Sequence, residues 1–163
     1  MAGLEDLYRE IILDHYRSPR NRGELPVPPA HKVEGFNPLC GDEVVLYIEV
    51  DPDTETVQDV KIAGQGCSIS QASTSMMSAA VKGKSIEETR RLIRAFKALM
   101  SIHESKLEGE SDGSDLQADL EGVRLGDLEA LQGVVKFPVR IKCATLAWNT
   151  LQQALDEADA ETV

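Results

Sequence analysis

The chain has 163 residues, 42% of them hydrophobic, with 17 Lys and Arg against 28 Asp and Glu for a net charge of −11. That length suits one domain with its own core and leaves no room for a multi-domain machine; it also buries enough surface to fold without disulfide staples. So acidic a surface repels phosphate backbones and anionic lipid, which sets nucleic acid and membranes aside as partners.

Leu4, Leu7, Tyr8, Ile11 and Ile12 recur at helical spacing, with acidic residues ahead and Arg17 behind, and predict an amphipathic helix that Ser18-Pro19 stops. Glu5, Asp6, Glu10 and Asp14 within this opening are incompatible with the basic start and unbroken apolar run of a signal peptide. No stretch is apolar enough to span a bilayer, so the expected location is the cytoplasm. His15 falls at the next position of the apolar stripe and reads as a hydrogen-bonded core or boundary histidine rather than a metal ligand. From Pro19 to Pro38 the chain is rich in Pro, Gly, Asn and Arg, with a short edge strand near Lys32 to Phe36.

Val44, Leu46, Ile48 and Val50 alternate with their neighbours, and after Asp51-Pro52-Asp53-Thr54 a second run covers Val57 to Ala63, which predicts a β-hairpin. Gly64-Gln65-Gly66 breaks the strand. Ile69, Ala72, Ser73, Met76 and Ala80 then form a narrow helical stripe of small residues, ended by Gly83. Ser85 with Glu88 three residues on is a capping box, opening a helix through Ile86, Thr89, Ile93, Phe96 and Met100. The acidic, Gly- and Ser-rich tract over about 108–126 lacks periodicity and reads as an inserted loop in a single domain spanning 1–163. A short helix is expected near Asp127 to Gln132. A last one starts at Pro138 and carries Ala144, Ala147, Trp148, Leu151, Leu155 and Ala158 on one face. This order, without βαβ alternation, predicts an α+β fold with helices packed on a small antiparallel sheet of about three strands.

Three cysteines cannot make a disulfide framework, so they are either buried small hydrophobes or a metal and sulfur site. In Cys40-Gly41-Asp42, thiol and carboxylate sit two residues apart, which in an extended chain points both the same way. Cys67 follows Gly64-Gln65-Gly66 at a helix start, where unpaired N–H groups favour a thiolate. Cys143 follows Arg140 and Lys142, whose charges do the same. Three thiolates and a carboxylate suit tetrahedral zinc, yet thiolates also hold iron–sulfur clusters, so the ligand types leave both open. The cysteines are 27 and 76 positions apart, with no C-x-x-C pair to tie them locally.

Taken together, Asn37-Pro38-Leu39-Cys40-Gly41-Asp42, Gly64-Gln65-Gly66-Cys67-Ser68-Ile69-Ser70, Arg140-Ile141-Lys142-Cys143-Ala144 and the opening Ile12-Leu13-Asp14-His15-Tyr16 resemble the IscU/SufU (NifU N-terminal-like) family of iron–sulfur cluster assembly proteins. The likeness spans nearly the whole chain and is greater to the SufU branch. Lys142 stands where IscU-type members have His, Lys136-Phe137-Pro138-Val139-Arg140 replaces their Leu-Pro-Pro-Val-Lys motif, and the tract around Glu108 to Gly126 is extra length. The resemblance implies a zinc-dependent sulfurtransferase that takes persulfide sulfur from a SufS-type, pyridoxal-phosphate cysteine desulfurase, stimulates it, and passes sulfur towards downstream SUF assembly proteins. It implies zinc held by Cys40, Asp42, Cys67 and Cys143, with Cys40 as the sulfur acceptor and Arg140 in contact with the desulfurase. The alternative it implies is a scaffold on which an iron–sulfur cluster is assembled and transferred.

Overall fold

The computed structural model describes residues 4–27, 30–38, 40–108, 126–136 and 138–161, with side chains described at 6–27, 30–38, 40–100, 126–132, 134 and 140–158. The expected insertion falls almost wholly outside this set. Helix α1 spans Leu4–Arg17 and rests Tyr8, Ile11 and Ile12 against the core. Leu7, expected on that face, is 56% exposed. At about 100° per residue it lies about 80° from His15, the most buried position of the helix, and so falls on the rim.

Strands β1 (His31–Asn37), β2 (Asp42–Asp51) and β3 (Thr56–Gln65) form one antiparallel sheet in the order β1-β2-β3. Alternation puts Asp42, Val44, Leu46 and Ile48 of the central strand on the helix-covered face, where each is fully buried. The outer edge of β3 is capped in part by the breaker-rich stretch. Gly23 N–H donates to Ile62 O at 3.0 Å, and Ile62 N–H donates to Asn21 O at 2.9 Å.

Helix α2 (Ser68–Val81) departs from the expected narrow stripe, since Ser70, Ala72 to Ser78 and Val81 are all buried. It runs through the helical layer, touching α1, β3 and the last helix, so most of its circumference lies inside while Ala79 stays exposed. Ser73, Ser75 and Ser78 are accommodated there because their hydroxyls are paired. Ser73 Oγ donates to Ala144 O and accepts from Trp148 Nε1–H at 3.2 Å, while Ser78 Oγ donates to Ser75 O at 2.7 Å.

The Ser85 cap forms, with Glu88 N–H donating to Ser85 Oγ at 3.0 Å and the Ser85 hydroxyl donating to Glu88 Oε1 at 3.3 Å, and opens α3 (Ile86–Glu108). The short helix expected near Asp127 is a longer 3-10 segment, Gly126–Lys136, which buries Leu128, Ala130, Leu131 and Val134. Helix α4 (Pro138–Glu161) then lays Ala144, Ala147, Trp148, Leu151 and Leu155 into the core, and Trp148 stacks on Phe96 of α3 with ring centroids 4.6 Å apart. No helix among the described residues is long and apolar enough to cross a membrane.

His15 joins three elements. Its Nε2–H donates to Asp127 of the 3-10 segment at 2.9 Å, and Nδ1 is hydrogen-bonded to Ser75 Oγ of α2, also at 2.9 Å. Ser75 Oγ in turn accepts from Arg20 N–H at 2.8 Å. These bonds give both nitrogens of a ring only 2% exposed a partner.

Candidate metal centre

The hairpin joining β1 and β2 delivers the first two candidate ligands. Asn37 and Asp42 are register partners, and Gly41 N–H donates to Asn37 O at 2.9 Å, closing a tight loop around Cys40. Gly41 has φ of 69°, a left-handed conformation that a side chain would strain. Cys40 therefore sits half-buried on the loop, while Asp42, the first residue of β2, is wholly buried.

The third candidate arrives from the end of β3. Glu43 is paired with Gln65, so Gly66 and Cys67 pass directly beside Asp42, and Cys67 N–H donates to Asp42 Oδ1 at 2.9 Å. Gly66 is required there, because a Cβ on it would lie 2.6 Å from that same oxygen. Cys67 is the N-cap of α2, and its Sγ accepts from Ser70 N–H at 3.4 Å. The fourth comes from α4, which lies across β1 and brings Cys143 over the loop. The Cys143 thiol donates to Cys40 Sγ at 3.2 Å and accepts from the buried amide of Asn37 at 3.7 Å.

One ligand atom each from Cys40, Asp42 and Cys143 lies within 4.8 Å of the other two. Residues from β2, a loop and a helix over a hundred positions away thus meet in one spot. Cys67 is outside that trio by its sulfur but is joined to it by its backbone and by its closeness to Cys143. None of the three cysteines is in a disulfide.

The electrostatics suit a cation. Asp42 Oδ2 is buried and has no hydrogen-bond partner among the described residues, an arrangement that costs free energy unless a positive charge meets it. Burial pushes the Cys143 thiol up, and the neighbouring Asp42, Cys40 and Cys67 push it the same way, so without an ion it keeps its proton. Arg140, exposed at the rim of α4, has its guanidinium against Cys67 first and Cys143 second, which raises its own pKa further. Lys142 is exposed and belongs to no metal-ligating group among the described residues. A divalent ion suits this donor set, since sulfur and carboxylate oxygen are the ordinary ligands of zinc and the orphaned oxygen supplies the charge it needs.

Two polar residues at the centre had no role from sequence alone. Asn37 and Ser70 both stand inside the recurring segments around Cys40 and Cys67, but their parts depend on side chains from distant elements.

Comparison with known proteins agrees with this architecture. The family model for the NifU-like N terminal domain matches residues 7–144. The chain is 44% identical over 154 residues to the zinc-dependent sulfurtransferase SufU of Bacillus subtilis (strain 168), covering 94% of this chain and 92% of that protein. It is 39% identical over 155 residues to the iron-sulfur cluster assembly scaffold protein IscU of Streptococcus pyogenes serotype M1, covering 95% and 86%. Among solved structures, a putative iron-sulfur cluster assembly scaffold protein for the SUF system from Fervidobacterium islandicum AW-1 superposes with a TM-score of 0.71 at 34% identity, covering 94% of this chain and 99% of that one.

Proposed function

The chain belongs to the NifU-like N-terminal domain family, and from that premise we propose that it is a zinc-dependent sulfurtransferase serving iron–sulfur cluster assembly. It accepts persulfide sulfur from a SufS-type cysteine desulfurase, accelerates that enzyme, and hands sulfur to downstream SUF proteins. The observation that carries the reading is the meeting of Cys40, Asp42 and Cys143 around a buried, unpartnered carboxylate oxygen. Similarity to a protein named as a zinc-dependent sulfurtransferase supports it.

Cys40, Asp42, Cys67 and Cys143 are the residues that would hold zinc. Bound there, zinc supplies the charge that keeps the ligand thiols deprotonated at neutral pH. Cys40 is the reacting thiol, because it stands half-buried on a loop while Cys143 is fully buried and Cys67 is engaged as a helix cap. Its thiolate attacks the terminal sulfur of the partner's persulfide, so that a new S–S bond forms on Cys40, the old one breaks, and the partner's cysteine leaves as a thiolate. Arg140 stands exposed beside Cys67 and Cys143, where a fixed charge can orient the partner's surface. A reducing compartment, the cytoplasm, keeps the three thiols available.

The name of the Streptococcus relative favours a second reading, a scaffold that builds an iron–sulfur cluster on the same ligands. One experiment separates them. The purified chain should carry about one zinc per molecule, consistent with one tetrahedral set of ligands. It should raise desulfurase turnover and lose that effect in Cys40→Ser. Unchanged stimulation by the variant refutes sulfur transfer at Cys40, and a coloured, iron-containing protein that activates an apo acceptor supports the scaffold instead.

A further inference from the structure

Ser70 carries the second unexplained polar atom among the described residues. Among the described residues, Asp42 Oδ2 and Ser70 Oγ are the buried side-chain oxygens without a hydrogen-bond partner. They flank the same residue. Asp42 Oδ1 takes the Cys67 N–H, and the Ser70 N–H is given to the Cys67 sulfur. Natural proteins rarely leave such groups unpaired, and a buried hydroxyl without a partner destabilises the fold that contains it.

The orientation of Ser70 follows from its helix. Ser73, three residues on and therefore on the same face, bonds to Ala144 and Trp148 of α4, so this face of α2 looks at α4 beside Cys143. Ser70 is one turn nearer the start of α2, and helical side chains lean towards the helix N-terminus. Ser70 thereby lies towards the end of the α2–α4 seam where Cys143 and Cys67 stand. It does not bond back to a carbonyl of its own helix, as Thr74 does to Ser70 O at 2.7 Å.

We infer that Ser70 is a positioning residue of the metal centre, its hydroxyl donating a hydrogen bond to the Cys143 sulfur once that sulfur is a metal-bound thiolate. This rests on the zinc reading above. In the metal-free chain Cys143 is a thiol that spends its own proton on Cys40, 3.2 Å away, and thiol sulfur is a weak acceptor. As a thiolate it becomes a strong one, and the nearby orphaned hydroxyl gains the partner it lacks. Donors of this kind hold a ligand in place and tune the metal, and removing them typically weakens binding by about 10- to 100-fold.

The inference predicts opposite effects in the two states, which a purely structural serine cannot produce. The full chain is compared with Ser70→Ala and with Ser73→Ala, whose hydroxyl is fully partnered within the protein. Thermal midpoints are taken metal-free, zinc affinity is measured by competition with a chromophoric chelator, and the thiolate-to-metal charge-transfer band is recorded with cobalt(II). Ser70→Ala should unfold metal-free at or above the wild-type temperature, bind zinc at least about tenfold more weakly, and shift the cobalt band. Ser73→Ala should lower the metal-free midpoint and leave the band in place. A Ser70→Ala variant that keeps wild-type affinity and spectrum, or that loses metal-free stability as Ser73→Ala does, overturns the role of Ser70 while leaving the zinc reading intact. A wild-type chain that takes up neither zinc nor cobalt overturns both.

Discussion

Replacing Gly66 by Ala tests whether the turn before Cys67 is shaped by the carboxylate it passes. The new Cβ would lie 2.6 Å from Asp42 Oδ1, 3.0 Å from its Cα and 3.1 Å from its Cβ, whereas ordinary contact begins at 3.4 Å. Because three atoms along Asp42 are crowded at once, rotation of the carboxylate alone cannot relieve the clash. The two strands must part by about 0.8 Å at the oxygen. The Cys67 N–H bond to that oxygen, now 2.9 Å, then opens beyond hydrogen-bonding range. A bond to a charged group contributes about 1.5–3 kcal/mol, and with repacking the expected loss is about 2–3 kcal/mol, or a fall of about 5–10 °C in Tm for a chain of this length. Urea denaturation of the metal-free protein measures the loss directly. A zinc competition titration should register weaker binding as well, since Asp42 and Cys67 are displaced together. A variant within about 0.5 kcal/mol of wild type, the scatter of ordinary surface changes, and with unchanged zinc affinity would show that the turn has slack and that the tie between Cys67 and Asp42 is incidental.

Asp42→Asn can keep the Cys67 N–H bond through its remaining oxygen while removing the unpartnered one. Its metal-free Tm should be no lower than wild type, but the stabilisation zinc confers, about 4 kcal/mol at a thousandfold excess over Kd, should be largely lost in thermal scans with and without zinc. His15→Ala should cost about 3–4 kcal/mol in urea denaturation, since it removes two hydrogen bonds and leaves a cavity where a buried ring stood. Asp127→Asn should cost less than about 1 kcal/mol, because Asp127 is 59% exposed and water replaces the lost charge; a larger cost than for His15→Ala would refute the burial argument.

Local pattern sufficed where structure is local. The alternation of Val44, Leu46 and Ile48 predicts the face on which β2 is buried, and Ser85 with Glu88 marks the start of α3 through the bond that forms there. The prediction weakened for α2, where the expected narrow stripe runs through Ile69, Ala72, Ser73, Met76 and Ala80 but burial extends well beyond it, to Ser70, Thr74, Ser75, Met77, Ser78 and Val81. The buried hydroxyls of Ser73, Thr74, Ser75 and Ser78 find partners on α1, in the stretch after it, on α4 or on the backbone of α2, and those partners lie 55 to 75 positions away for Ser73 and Ser75. No window of sequence contains them. His15 shows the same limit. Its place on the apolar stripe marks it as buried, but nothing near it in sequence names Ser75 or Asp127 as the groups that let it stay so.

The site was legible in part for a related reason. The Cys40-Gly41-Asp42 spacing contains its own geometry, since the Gly41 turn and the register of Asn37 with Asp42 suffice to place thiol and carboxylate. Cys143 meets Cys40 only because α4 lies across β1, and that packing depends on residues such as Gly35, where a Cβ would run into Leu146 and Thr150 of α4. The centre is therefore held by the seams between β1, α2 and α4. The small residues along those seams, Gly35, Ala144 and Ala147, let the elements approach closely enough for Cys40, Asp42 and Cys143 to meet. Enlarging any of them acts on the centre without touching a ligand. The capacity to hold an ion is in this respect a property of helix packing as much as of cysteine chemistry.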